Sequence, residues 1–199
     1  MSIIEERASP EPGKLLCWLE RKTGGSRRTP PRHIGYRPLA TNLISYDWNS
    51  PATPAKVAAV CYRVNRESEI EFLLVRTASG RWTFPKGGVD GDASAAAAAA
   101  REAFEEAGVC GRIEPSSFTR YLHRKRNPFR RARTREMAIE AYLCRVLQLV
   151  APLEIDRDPT WFSASRAKRR LRESRAAKYG AELERVVDCA VEQISKRLH

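Results

Sequence analysis

Nowhere does the 199-residue chain approach the run of about 18 apolar residues that a membrane-crossing helix requires. Met1 to Pro12 is polar and acidic and lacks the apolar centre of a signal peptide, so a cytoplasmic protein is expected. Cysteine is sparse. The five residues Cys17, Cys61, Cys110, Cys144 and Cys189 are odd in number, scattered and never spaced C-x-x-C, which excludes a disulfide framework and a cysteine zinc site and predicts buried free thiols. Acidic residues are absent between Arg120 and Arg135, and only Tyr121 and Phe129 bring aromatic rings there. A platform on which single-stranded bases stack is therefore poorly supplied.

What is present is positive charge. The net charge of +12 predicts attraction to polyanions: polyphosphorylated small molecules, nucleic acid or an anionic surface. Residues 1–54 are rich in breakers (P-E-P-G, T-G-G-S, T-P-P-R, P-A-T-P) and read as an extension, either mobile or folded over a ligand through Arg27, Arg28, Arg32 and Arg37. A globular rhythm fills 55–199. V-A-A-V-C-Y-R-V and I-E-F-L-L-V-R read as paired strands, Ser117 to His123 and Glu136 to Leu149 as later strands, and Trp161 to Ser163 as a last strand opening a basic helix that Gly180 interrupts. Strand pairs around one helix suggest an α/β fold with a mixed central sheet and helices on both faces.

That helix lies in the stretch F-P-K-G-G-V-D-G-D-A-S-A-A-A-A-A-A-R-E-A-F-E-E-A-G-V, residues 84–109. Ser94 or Asp92 can cap its start, the alanine run has the best helix propensity, and Gly108 suits a left-handed stop; a helix from about 93 to 107 follows. Ala96, Ala100, Ala103, Phe104 and Ala107 share one flank, expected to pack. Glu102, Glu105 and Glu106, at i, i+3 and i+4, gather on the other with Ala95 and Ala98, expected to face outward. Clustered carboxylates repel unless a cation sits among them, and hard oxygens suit Mg2+ or Mn2+. Arg101 is placed to hold Glu105. Taken alone, the cluster also reads as an ordinary solvated helix face.

The longer pattern resembles the Nudix box: Gly, five residues, Glu, seven residues, then Arg-Glu-U-x-Glu-Glu-x-Gly-U, with U aliphatic. Gly87, Arg101, Glu102, Glu105, Glu106, Gly108 and Val109 match in register, and Ala103 fills the first aliphatic place. The box's first glutamate falls on Ala93, with Asp90 and Asp92 just upstream. R-W-T-F-P-K-G-G before the box, the basic segment before the long strand and W-F-S after it are similar to the diphosphoinositol polyphosphate and diadenosine polyphosphate phosphohydrolase branch. The resemblance implies a Nudix α/β/α sandwich and a hydrolase of diphosphate linkages using Mg2+ or Mn2+. It also implies that Glu105, Glu106 and the Gly87 carbonyl ligate metal, that Glu102 ligates metal or activates water, and that Arg101 orients. Which carboxylate is the base stays open, and Glu136 or Glu140 is a further candidate ligand.

Arg81 and Lys86 before the box, and Arg124, Lys125, Arg126, Arg130, Arg131 and Arg133 in a loop centred on Asn127-Pro128, are the expected phosphate-binding cations. Solvated surface charge is the plainer alternative for both groups. His123, alone at a strand end, is expected to pack or hydrogen bond rather than catalyse. The expected partner is a polyphosphorylated small molecule. The competing functions are RNA binding through the basic surfaces, a sensor whose turnover is weakened by the alanine at 93, and a pyrophosphatase for nucleotide sugars or oxidised nucleotides.

Overall fold

A computed structural model of the chain describes residues 56–89, 94–126 and 134–198. The extension, Asp90, Asp92, Ala93, Arg130, Arg131 and Arg133 lie outside the described residues. The elements follow in the order β1 (Lys56–Val64), β2 (Ile70–Arg76), β3 (Trp82–Thr83), β4 (Lys86–Gly88), α1 (Ala95–Ala107), β5 (Val109–Ile113), β6 (Thr119–Arg126), β7 (Thr134–Leu149), a 3-10 turn (Ile155–Arg157), β8 (Thr160–Ser163), α2 (Ala164–Arg172) and α3 (Ala177–Leu198).

The sheet is mixed. β1 runs parallel to β7 with Val57 opposite Glu140, and antiparallel to β2 and β4. β7 is long enough to pair β6 along its first half and β5 along its second. Its alternation, and that of β1, feeds two cores. Ala58, Val60, Tyr62, Ile139, Ala141 and Leu143 pack with Ala167, Leu171, Leu183, Val187 and Ile194 of α2 and α3. Val57, Ala59, Cys61, Tyr142 and Cys144 pack with Ala98, Ala99, Ala103 and Ala107 of α1. A sheet covered on both faces needs apolar residues at nearly every position, which is why the central strands read as continuous apolar runs. The result is the expected α/β sandwich.

Several local expectations are corrected. β6 reaches Arg126, so Arg124, Lys125 and Arg126 belong to a strand paired with Glu136, Arg135 and Thr134 rather than to a loop. Gly180 does not interrupt a helix: it lies buried inside α3, where a Cβ would stand 3.2 Å from Arg172 Cγ, and the break falls between Arg172 and Ala177. Cys61 and Cys144 are buried, but Cys110 and Cys189 are partly exposed; all four described cysteines are free thiols.

α1 begins where Ser94 accepts a hydrogen bond from the Ala97 N–H, satisfying one of the first-turn donors, and it stops at Gly108 with φ of 64°. The Gly108 amide bonds back to the Phe104 carbonyl while its own carbonyl accepts from Val150 N at 2.9 Å, and Glu154 N reaches the Glu105 carbonyl at 3.0 Å. The segment after β7 is thereby sewn to the C-terminal end of α1. A Cβ at Gly108 would meet the Val150 carbonyl oxygen at 2.0 Å, in a left-handed conformation that already costs an ordinary residue about 1–2 kcal/mol. Gly108→Ala is therefore expected to lose at least about 2 kcal/mol in urea unfolding, because both costs apply together.

Candidate active site

β4 carries Lys86 and Gly87 past the carboxylate-bearing side of α1. A Cβ on Gly87 would sit 2.0 Å from Glu102 Oε1, so the strand and the carboxylate approach as closely as they do only because residue 87 has no side chain. Glu102 is raised above the ordinary carboxylate range by burial and by the charge of Glu105, and Arg101 opposes that shift. Arg101 Nη2 lies 3.6 Å from Glu102 Oε1 and donates to the Gly88 carbonyl at 3.1 Å. Among the described residues these contacts of the guanidinium are to Glu102 and the β4 backbone, and the expected pairing with Glu105 is not one of them.

The acidic trio does not face outward together. Glu106 is 3% exposed, with Oε2 accepting from the Lys86 N–H at 3.2 Å and Oε1 paired to Arg157 Nη2 at 2.8 Å. Burial pushes its pKa up, and Lys86 and Arg157 pull against that. Ala98, expected beside the acids on an open face, is fully buried. Glu140 shares the alternation of Tyr142 and Cys144 on β7 but is held by Arg120 at 2.7 Å and by the Tyr142 hydroxyl at 2.9 Å. Glu136 accepts from Lys178 at 3.2 Å and from the Tyr179 hydroxyl. Among the described residues no three His, Cys, Asp or Glu side chains are disposed to hold a metal ion. Glu102 and Glu105 are nevertheless a pair of hard oxygen donors whose mutual repulsion a divalent cation would relieve, so their chemistry fits one.

On its other side Lys86 lines a cavity of about 240 Å3 with Arg81, Thr83, Tyr121, His123, Arg124, Arg175 and Tyr179. Its described lining contains no carboxylate. The volume is below the roughly 300–1,000 Å3 of sites that engulf a drug-sized ligand, which suits one charged portion of a larger molecule. Burial lowers Lys86 to about 8, and Glu106 partly resists. Burial also lowers His123 to about 4, helped by Lys86 and its cationic neighbours, so the imidazole is neutral at pH 7.

Two lining residues escaped sequence reasoning. The Tyr121 hydroxyl is buried without a hydrogen-bond partner among the described residues, which makes it a donor awaiting an acceptor. Arg175 is fixed by the carbonyls of Trp82 at 2.5 Å and Leu171 at 2.6 Å, and burial lowers it to about 10. Neither carries a sequence signal, since a strand tyrosine reads as core and one arginine among many in the basic segment reads as surface. Of the other expected phosphate binders, Arg81, Lys86 and Arg124 meet in this cavity, while Lys125 and Arg126 are placed on β6.

The comparisons with known proteins fit this arrangement. A family model for the NUDIX domain matches residues 54–183. The chain is 38% identical over 58 residues to diphosphoinositol polyphosphate phosphohydrolase 3-beta of Bos taurus, which is 29% of this chain and 35% of that protein. It is 36% identical over 58 residues to the 3-alpha form of Homo sapiens. The match thus spans about a third of the length of these curated relatives. Among solved structures, the C. elegans Ap4A hydrolase superposes with a TM-score of 0.51 at 22% identity, covering 71% of this chain and 98% of that one. The NUDIX domain of Shewanella oneidensis NrtR, solved with ADP ribose, gives 0.52 at 19% identity, covering 75% and 94%. These two likenesses speak for the fold alone. The chain belongs to the NUDIX domain family.

Because Lys86 titrates near 8, its charge is present at pH 7 and is lost as the pH rises through that value. Pyrophosphate binding, followed by calorimetry, is expected to weaken between pH 7 and pH 9. Lys86→Arg, which keeps its charge, is expected to flatten that part of the profile.

Proposed function

We propose that the protein is a metal-dependent phosphohydrolase that cleaves a diphosphate linkage in a highly phosphorylated small molecule, an inositol pyrophosphate or a dinucleoside polyphosphate. The observation that carries this reading is the double engagement of Lys86. Its backbone N–H holds Glu106 beneath the acidic side of α1, and its side chain lines a cationic cavity whose described lining has no carboxylate. Acid on one side of a strand and base on the other is what hydrolysis of a polyanion needs. The 58-residue likeness to diphosphoinositol polyphosphate phosphohydrolases supports the substrate class.

In this reading Glu102 and Glu105 hold Mg2+ or Mn2+, with Glu106 and the Gly87 backbone behind them. The ion, when bound, would neutralise the diphosphate and lower the pKa of a water. The chain's own residues do the rest. Lys86, Arg81, Arg124 and Arg175 hold phosphate oxygens through charge-assisted bonds, and the Tyr121 hydroxyl supplies a neutral donor to one of them. Arg101, bonded to the Gly88 carbonyl and facing Glu102, keeps that carboxylate in one orientation as charge moves nearby.

The test is phosphate release from an inositol pyrophosphate, diadenosine hexaphosphate and ADP-ribose, with Mg2+ or Mn2+, by wild type and Glu105→Gln. The expected result is turnover of the more highly phosphorylated compounds, falling by more than about 100-fold in the variant with its melting curve unchanged, since loss of a ligand should exceed the 10–100-fold typical of outer supporting groups. Equal rates in the two proteins would overturn the assignment of Glu105. No release from any of the three, alongside tight RNA binding, would favour the nucleic-acid reading.

A further inference from the structure

Glu106 is the member of the acidic trio that the fold turns inward, and a cation of the chain itself meets it there. Arg157 reaches it from the 3-10 turn after β7, Nη2 to Oε1 at 2.8 Å. The guanidinium is fixed on its other edges as well: Nε donates to Glu154 Oε2 at 2.6 Å and Nη1 to the Arg76 carbonyl at 3.3 Å. Glu154 is in turn anchored to α1, its N–H on the Glu105 carbonyl. The planar fork thus has three acceptors set around it, and an arginine cannot leave such a place by giving up a proton. With the Lys86 N–H on Oε2, both oxygens of Glu106 have protein donors.

We propose that Arg157 is a built-in counter-ion that takes the place of a second divalent cation at Glu106, so that it limits how many metal ions the acidic side of α1 accepts. The inference rests on the reading of Glu102 and Glu105 as metal ligands and adds a determinant that the box pattern does not contain. A carboxylate oxygen shared by a guanidinium and a divalent ion would bring two positive groups within a few ångströms in a poorly hydrated place, where repulsion is weakly screened. Arg157 acts through Glu106 and is a positioning residue. Removing its charge leaves buried Glu106 with Lys86 as its remaining counter-charge, a shortfall that a metal ion would then relieve.

The experiment measures Mn2+ binding by calorimetry and by electron paramagnetic resonance of free Mn2+, without substrate, for wild type, Arg157→Gln, Arg157→Lys and the double variant Glu106→Gln/Arg157→Gln. Arg157→Gln is expected to take up one further Mn2+ per chain, or to bind Mn2+ at least about tenfold more tightly, a change of about 1.4 kcal/mol. Arg157→Lys should resemble wild type, and the double variant should lose the gain. If Arg157→Gln fails to fold, Glu154→Gln loosens the guanidinium without touching Glu106 and should show a smaller gain of the same sign. An isotherm for Arg157→Gln, or in its place Glu154→Gln, that overlays wild type overturns the proposal while leaving the metal reading intact. A gain that persists in the double variant overturns it too, since the effect would then be general electrostatics. Absence of Mn2+ binding in every protein would overturn both readings.

Discussion

A carboxylate buried to 3% exposure must be compensated or protonated, and much of the geometry around α1 follows from how Glu106 meets that demand. Its two oxygens take the Lys86 N–H and the Arg157 guanidinium, which ties together β4, α1 and the turn after β7, three pieces distant in sequence. Breaking one side would leave a buried charge without its partner, an effect usually worth several kcal/mol. The same tie brings Gly87 under Glu102, because β4 cannot approach Glu106 through Lys86 without its next residue passing the neighbouring carboxylate. Support for the fold and positioning of the acids are therefore one network.

Among the described residues the basic charge has two placements. Much of it is spread over the surface in pairs such as Lys168 with Asp188, Arg172 with Glu184 and Arg197 with Glu114, where exposed ion pairs contribute about 0–1 kcal/mol each. Another part, Arg81, Lys86, Arg124 and Arg175, lines the cavity beside Lys86, whose described lining contains no carboxylate. Burial, to which the neighbouring cations add, lowers the affinity of Lys86 and Arg175 for protons. A polyanion entering the cavity would reverse that cost, so the strain of like charges favours occupied over empty.

α1 was legible almost to the residue, because the alanine run, Ser94 and Gly108 each speak through local chemistry that tertiary structure did not override. The central strands were equally readable from their apolar runs. β4 and β5 were missed, being short strands with glycine inside them, where backbone pairing has little side-chain signature. The inward turn of Glu106 was hidden because a helical wheel places it with Glu102 and Glu105; the arrival of Lys86 and Arg157 makes its burial tolerable, and nothing in the spacing announces that. Gly180 misled for a related reason: glycine breaks helices by propensity, but here the absent side chain lets α3 pass Arg172.

The proposed site has Glu102 and Glu105, presented against β4, as its metal-binding half and the cavity beside Lys86 as its other half. The most direct measurement is Mn2+-induced broadening of the backbone amide signals of 15N-labelled protein, titrated at substoichiometric metal. The account predicts that Lys86, Gly87, Gly88, Glu102 and Glu105 broaden first while α3 beyond Leu183 stays sharp. Broadening centred instead on exposed acids such as Asp156, Asp188 or Glu192, with the β4 amides untouched, would contradict it.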